Sequence, residues 1–480
     1  MASSQFDVLE WLAAGYLLLP LLVFLLGWLR WPFALAMGAA LAPALYHAWR
    51  GRVRRPAGLS RTEVLALAAV AISWVSMSGL APGFFLNWDW MTRMSVLRDL
   101  VAGDWPAGYR LPGEADLVLR CPLGYYLVPA LVGKLTSLAG ARLALWCWTA
   151  LGTALFLALL LSANRARKPA AWCAALLIAI FFSGMDIAGW LIADQSSLEY
   201  GKHIEWWAKA LAPGNEVQYS AQTTQLFWVP NHALPGWLLA ALAWRHRQHG
   251  LAIVPAALLL LAVAFWAPLV ALGAAPLLLW CAWRGLGWRQ LAAHGLRPPV
   301  LALLPVGWLV FRYLTMNVPA VGAVHAGDAL THIRAAVVFS ALEWGLLALA
   351  VLWRGERSPL LALALLELVA LPFVHYGPSN DLTMRASIPA LALLMMATID
   401  AWQRAQPLRR ILLTALLAIG SVTPLMEMQR AFLPGPRYLD EQANFIEING
   451  TMWHYVSAVT RPDMRAMLKP PVPLPPGGKP

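Results

Sequence analysis

Between residues 10 and 426 the chain carries about thirteen apolar runs, many close to the ~20 residues that a bilayer core demands, with short arginine-rich loops between them. Backbone polar groups in hydrocarbon must be satisfied within the segment, so runs of this kind fold as helices. The pattern excludes soluble classes, and composition agrees: 60% of the residues are hydrophobic and only 12% are charged. The 26 tryptophans suit the headgroup level of a membrane. A net charge of +12 would suggest nucleic acid in a soluble protein. Here the arginines sit in loops between apolar runs, so topology accounts for them and no nucleic-acid partner is expected. Cys121, Cys147, Cys173 and Cys281 have neither metal-site spacing nor a disulfide framework.

The candidate spans lie near 10–29, 32–49, 63–80, 142–162, 169–184, 231–245, 250–264, 266–282, 299–315, 333–353, 359–376, 387–402 and 411–426. The first is too long for a secretory signal and lacks a small-residue cleavage site, so it reads as a retained helix. Basic loops at 50–61, 164–168, 245–249, 284–297, 354–357 and 404–410 should be cytoplasmic. With the amino terminus inside, all six share one side only if "CPLGYYLVPALVGKL" (121–135) does not cross the membrane. This segment therefore reads as a re-entrant or interfacial helix, and the carboxyl terminus falls outside.

That parity sends 81–141, 185–230, 316–332, 377–386 and the tail to the outer face, where the unusual polar chemistry lies. Three regions divide the chain. Residues 1–62 hold the first helices and a basic loop, 63–426 the membrane core with its outer loops, and 427–480 an outer tail. The tail ends in "PPVPLPPGGKP", a composition too rich in proline and glycine to predict packing.

Each polar stretch has a functional and a structural reading. In "NWDWMTR" (87–93) Asp89 is placed as a general base at the outer interface. Alternatively, Asn87 or Asp89 caps the next helix and Arg93 pairs with Asp89 at i,i+4. In "SNDLTMR" (379–385) Arg385 suits a phosphate, or Asn380 and Asp381 start a helix and Arg385 pairs back to Asp381. In "QYSAQTTQLFWVPNH" (218–232), Gln222, Trp228, Asn231 and His232 offer amides and rings for a sugar, or a helix simply starts after Pro230. His203, Glu205, His325, Asp328 and His332 have no metal-site spacing. Glu343 and Glu367 lie inside spans, where acids are costly; they either carry protons in a transporter or accept hydrogen bonds from neighbouring helices.

"NWDW" (87–90), the "P-L-x-Y-Y-L" pattern within 121–135 and "GARLALW" (140–146) together resemble the GT-C superfamily of integral membrane glycosyltransferases. The resemblance covers residues ~60–165 best and the remainder as topology. It departs from the simplest members in having two apolar helices before the loop-opening one, and in an N-x-D in place of an acidic pair. It implies an all-α polytopic fold of about thirteen helices with a large first outer loop. It implies a bacterial inner-membrane enzyme, acting on the outer face, that moves a sugar from a polyprenyl-phosphate donor to a glycan, lipid or protein acceptor. By position, Asp89 would be the catalytic acid-base residue. Arg93, Gln222, Trp228, Asn231, His232, Asn380, Asp381 and Arg385 would contact substrate, with Arg312 near the lipid phosphate. Some members use a divalent cation, and the sequence leaves that open. Two other classes compete: a transporter or flippase with Glu343 and Glu367 along a central path, and a non-catalytic subunit of a polysaccharide assembly system.

Overall fold

A computed structural model describes residues 6–49, 59–111, 116–163, 168–194, 197, 202–211, 216–316, 329–353, 355, 358–377, 379–433 and 443–474. The loop residues His325 and Asp328, and most of the basic loops at 50–61 and 164–168, lie outside these. Among the described residues eight helices are long and apolar enough to cross a membrane, from Val8–Trp28 to Pro407–Arg430. Three shorter apolar helices lie at Ile253–Trp266, Pro298–Leu314 and Pro359–Phe373. The protein is a polytopic helical membrane protein.

Local chemistry sets several helix starts. Asp7 with Glu10 and Ser60 with Glu63 form capping boxes, each pairing two otherwise orphaned backbone N–H groups. The centre of the bundle is helix Asp381–Arg404, which packs on Pro230–Arg245, Pro268–Gly295 and Pro359–Ala370. Both it and Pro230–Arg245 are apolar through their middle turns and buried almost throughout, as expected of helices enclosed by other helices. Peripheral helices instead keep leucines such as Leu35, Leu65 and Leu349 outward, where lipid would cover them.

The two ends of the bundle differ. At one, Arg245 donates to Glu10 at 2.9 Å and pairs with Asp7, while Arg247 pairs with Asp400 at 3.1 Å. The basic loop after helix Pro230–Arg245 thus meets the amino terminus, as the shared-side reading requires. At the other end, segment 121–135 forms only the nine-residue helix Leu127–Leu135. At 1.5 Å per residue this is about 14 Å long, too short for a ~30 Å core. It lies instead against helices Asp89–Ala102 and Leu138–Ala163.

One element was not legible in advance. A four-stranded sheet joins segment 107–119 to the tail, in the order Val456–Ala458, Leu117–Leu119, Ala107–Tyr109, Val472–Pro473. The last pair is parallel, with Ala107 opposite Val472. Composition predicts an unpacked end from residue 470, yet Pro470–Leu474 packs, and Leu474 is buried against Gly103. Proline is tolerated because this is an edge strand.

Candidate active site

The span Arg61–Leu80 ends in a turn at Gly79, whose φ of +91° favours glycine; a Cβ there would come within 2.5 Å of the Phe85 carbonyl oxygen. The chain doubles back and presents Asn87 and Trp90 to a single acceptor. The Asn87 amide and the Trp90 indole both donate to the Phe227 carbonyl at 2.9 Å. That carbonyl is free because helix Gln222–Trp228 breaks at Val229, where φ is −134° and ψ 50°. Asn87 also accepts the Asp89 N–H at 3.1 Å. Asp89 thereby becomes the first residue of helix Asp89–Ala102, where the helix dipole favours negative charge. Trp88 points outward and is 73% exposed.

Arg93 holds the cluster together. Its guanidinium donates to Asp89 at 2.9 Å and to the Asn231 side chain at 2.8 Å, and it also bonds the Tyr126 hydroxyl. Burial works against its charge, but Tyr126, Asp89 and Tyr455 outweigh that effect and hold its proton more tightly than usual. The Asn231 amide meets His232 at 3.2 Å. The side chain of Asp89 is 44% exposed while that of Arg93 is 6% exposed. One carboxylate therefore faces outward from a buried polar floor.

Arg385 pairs with Asp381 at 2.8 Å, one turn into helix Asp381–Arg404. Asn380 precedes that helix in the left-handed region (φ 49°), its side chain turned back to accept the Tyr376 N–H at 3.3 Å. The charges of Arg385 and Arg93 both act on His232, and those of Arg93, Arg385 and Asp89 all act on the Tyr455 phenol. The 87–93, 229–232 and 380–385 stretches therefore converge.

Three nominated residues are placed elsewhere. Gln222 is buried and its amide atoms have no hydrogen-bond partner. Trp228 donates to Glu427 at 2.8 Å and faces His203 and Arg430, in a second polar cluster. Arg312 is held by Asp463 of the tail at 2.6 Å and lies over Trp308.

The tail supplies residues that sequence reasoning missed. Tyr455 accepts the backbone N–H groups of Arg120 and Cys121 through its carbonyl, at 2.7 and 3.2 Å. The adjacent His454 lies at the surface; partial desolvation of its ring lowers its proton affinity, Asp381 opposes this, and the charges of Arg385 and Arg120 add to it. Arg120 is itself buried and donates to the carbonyls of Leu314 and Trp453. Only the aromatic composition of "MWHY" could have flagged this stretch, and nothing in it predicts a partner in the first loop. Among the described residues no three His, Cys, Asp or Glu side chains gather as metal ligands.

Comparison with known protein families, curated proteins and solved structures finds no match.

Proposed function

We propose that the protein is a GT-C-type glycosyltransferase of the bacterial inner membrane, with thirteen crossings, the amino terminus inside and the working face outside. The observation that carries this reading is the half-exposed Asp89 carboxylate, oriented by the buried Arg93 in a wall built from three outer loops and the tail. In the proposed reaction Asp89 accepts the proton of an acceptor hydroxyl while its oxygen attacks the anomeric carbon of a polyprenyl-phosphate sugar. The bond from that carbon to the phosphate oxygen breaks, and the lipid phosphate leaves with the electron pair. Arg385, beside Asp381 and with a side chain 33% exposed, stabilises the departing charge. Arg93 positions Asp89 and Asn231. The acceptor is a hydroxyl of an envelope glycan, lipid or protein.

Purified Asp89→Asn, assayed with a short-chain polyprenyl-phosphate sugar, should lose about 10²–10⁴-fold in transfer at unchanged thermal stability. Full activity in that variant would remove Asp89 from the chemistry. The transporter reading asks Glu343 and Glu367 to share one path. Glu343 instead bonds Trp207 at 2.7 Å, whereas Glu367 lies against Gly273 with neither carboxyl oxygen hydrogen-bonded.

A further inference from the structure

We propose that Asp186 and Glu343 together bind a single exchangeable proton where three interrupted helices meet inside the bundle. The inference is independent of the transferase reading.

The first interruption follows helix Pro169–Phe181, where residues 182–185 leave helical geometry before Asp186–Gly189 resumes it. The second is the wide turn Ala341–Gly345, which carries Glu343 in the middle of its span. Such turns inside α-helices concentrate at functional sites. The third lies at Gly420–Ser421, between Pro407–Gly420 and Val422–Arg430. Direct contacts lock the three together. The Met185 N–H donates to the Leu342 carbonyl at 3.1 Å, and a Cβ on Gly420 would come within 2.7 Å of the Ser183 carbonyl oxygen. A Cβ on Gly184 would strike Glu343 Oε2 at 2.1 Å, so only glycine lets that carboxyl approach.

The hydrogen bonds around the two acids are incomplete in an informative way. Ser183 and Thr423 donate to Asp186 Oδ2 at 2.9 and 2.7 Å, and the Trp207 indole donates to Glu343 Oε1. Asp186 Oδ1 and Glu343 Oε2 receive no protein donor, in residues only 1% and 3% exposed. The Met185–Leu342 bond and the close approach of Gly184 to Glu343 bring the two carboxyl groups near enough to act on each other. Two carboxylates offer only acceptors, so a bond between them requires a proton. A single shared proton would make one group a donor and leave the other an acceptor. It also removes the repulsion that prevents two adjacent buried carboxyls from ionising together.

The neighbouring charges come from two further elements. His203 and Glu205 lie on the segment Ile204–Ala210 and its leading residue, and Glu427 and Arg430 on helix Val422–Arg430. His203 acts on Asp186, and Glu205 on Glu343. His203 bonds Glu427 at 3.1 Å, and Arg430 meets the same carboxylate at 3.2 Å. The pair is thus the inner end of a polar network that reaches the outer loops.

The test counts protons. Full-length protein in detergent, in weakly buffered sodium-free solution at neutral pH, is unfolded and the protons released are measured with an indicator dye. The double amide variant Asp186→Asn/Glu343→Gln keeps the shape of the pair and should release one proton fewer per chain than the unmodified protein. Equal release would overturn the proposal, because the native pair would then hold none. A deficit of two would also overturn it, because each acid would hold its own. Adding sodium should leave the count unchanged; if sodium abolishes the difference, the site belongs to that ion and the proposal fails. Should the double variant not fold, infrared spectra of the native protein and Glu343→Gln decide instead. The protonated-carboxyl band that shifts on deuteration must lose the intensity of one carboxyl in the variant, and an unchanged band would overturn the pair.

Discussion

Glu205 sits fully enclosed beside His203, and accepts from the Gln218 amide at 2.6 Å and the Ala221 N–H at 2.9 Å. Burial pushes its carboxyl up to about 7 from an ordinary 4.5; His203 opposes this and Asp186 adds to it. Burial lowers His203, but its hydrogen bond to Glu427 and the charges of Glu205 and Glu427 outweigh that and raise it above 6.5. Both groups bind protons more tightly folded than unfolded. The stabilising contribution of Glu205 is therefore complete below about 4.5 and lost as the pH rises through about 7. Thermal midpoints should fall across that window, and Glu205→Gln should flatten the fall. An undiminished slope in the variant would place the titration on other groups. At this scale the sequence was readable wherever partners are one turn apart: Asp89 with Arg93 and Asp381 with Arg385 both follow from i,i+4 spacing. It was not readable for Arg93 with Asn231, or Trp228 with Glu427, because no local rule links residues so far apart in the chain.

Among the elements, the docking of the tail depends most visibly on one side chain. Asp99, wholly buried on helix Asp89–Ala102, accepts from the Tyr109 hydroxyl at 2.7 Å, the Phe445 N–H at 2.8 Å and Arg98 at 2.9 Å. It ties helix Asp89–Ala102, the sheet and helix Phe445–Asn449 together. Asp99→Ala leaves all three donors without this acceptor and should cost about 3 kcal/mol. Limited proteolysis should then release the tail before the bundle, and a tail as resistant as the native one would show that the sheet alone holds it. The helices were legible as elements because apolar runs of bilayer length have few alternatives. The sheet was not, because strands of two or three residues carry no readable alternation and their partners come from opposite ends of the chain.

For the whole molecule, packing puts the amino terminus, the loop after helix Pro230–Arg245 and the end of helix Asp381–Arg404 together. The contacts of Arg245 with Asp7 and Glu10, and of Arg247 with Asp400, group the amino terminus with two basic loops. The short helix Leu127–Leu135 supplies the non-crossing segment that the charge pattern needs. The proposed thirteen crossings put the carboxyl terminus outside. An alkaline phosphatase fused there should be active and a fluorescent protein fused there dark, and the reverse pattern would reverse the orientation of the working face. How many runs cross was only partly readable, since runs such as Ile253–Trp266 are short for a span and adjoin the next helix almost directly.

The parallel pairing of Ala107 with Val472 also sets a schedule for biosynthesis. The loop that bears Ala107 emerges well before its partner strand, which follows some 365 residues later. At ~5–20 residues per second, the interval is on the order of 20–70 seconds. Throughout that time the first loop waits at the membrane surface with unpaired strand edges, a state in which chaperones or stray strands can engage it. A ribosome that stalls in the last spans leaves an inserted bundle whose Tyr455 wall is missing. Synthesis of the tail strands, rather than insertion of the helices, is then the event that completes this sheet.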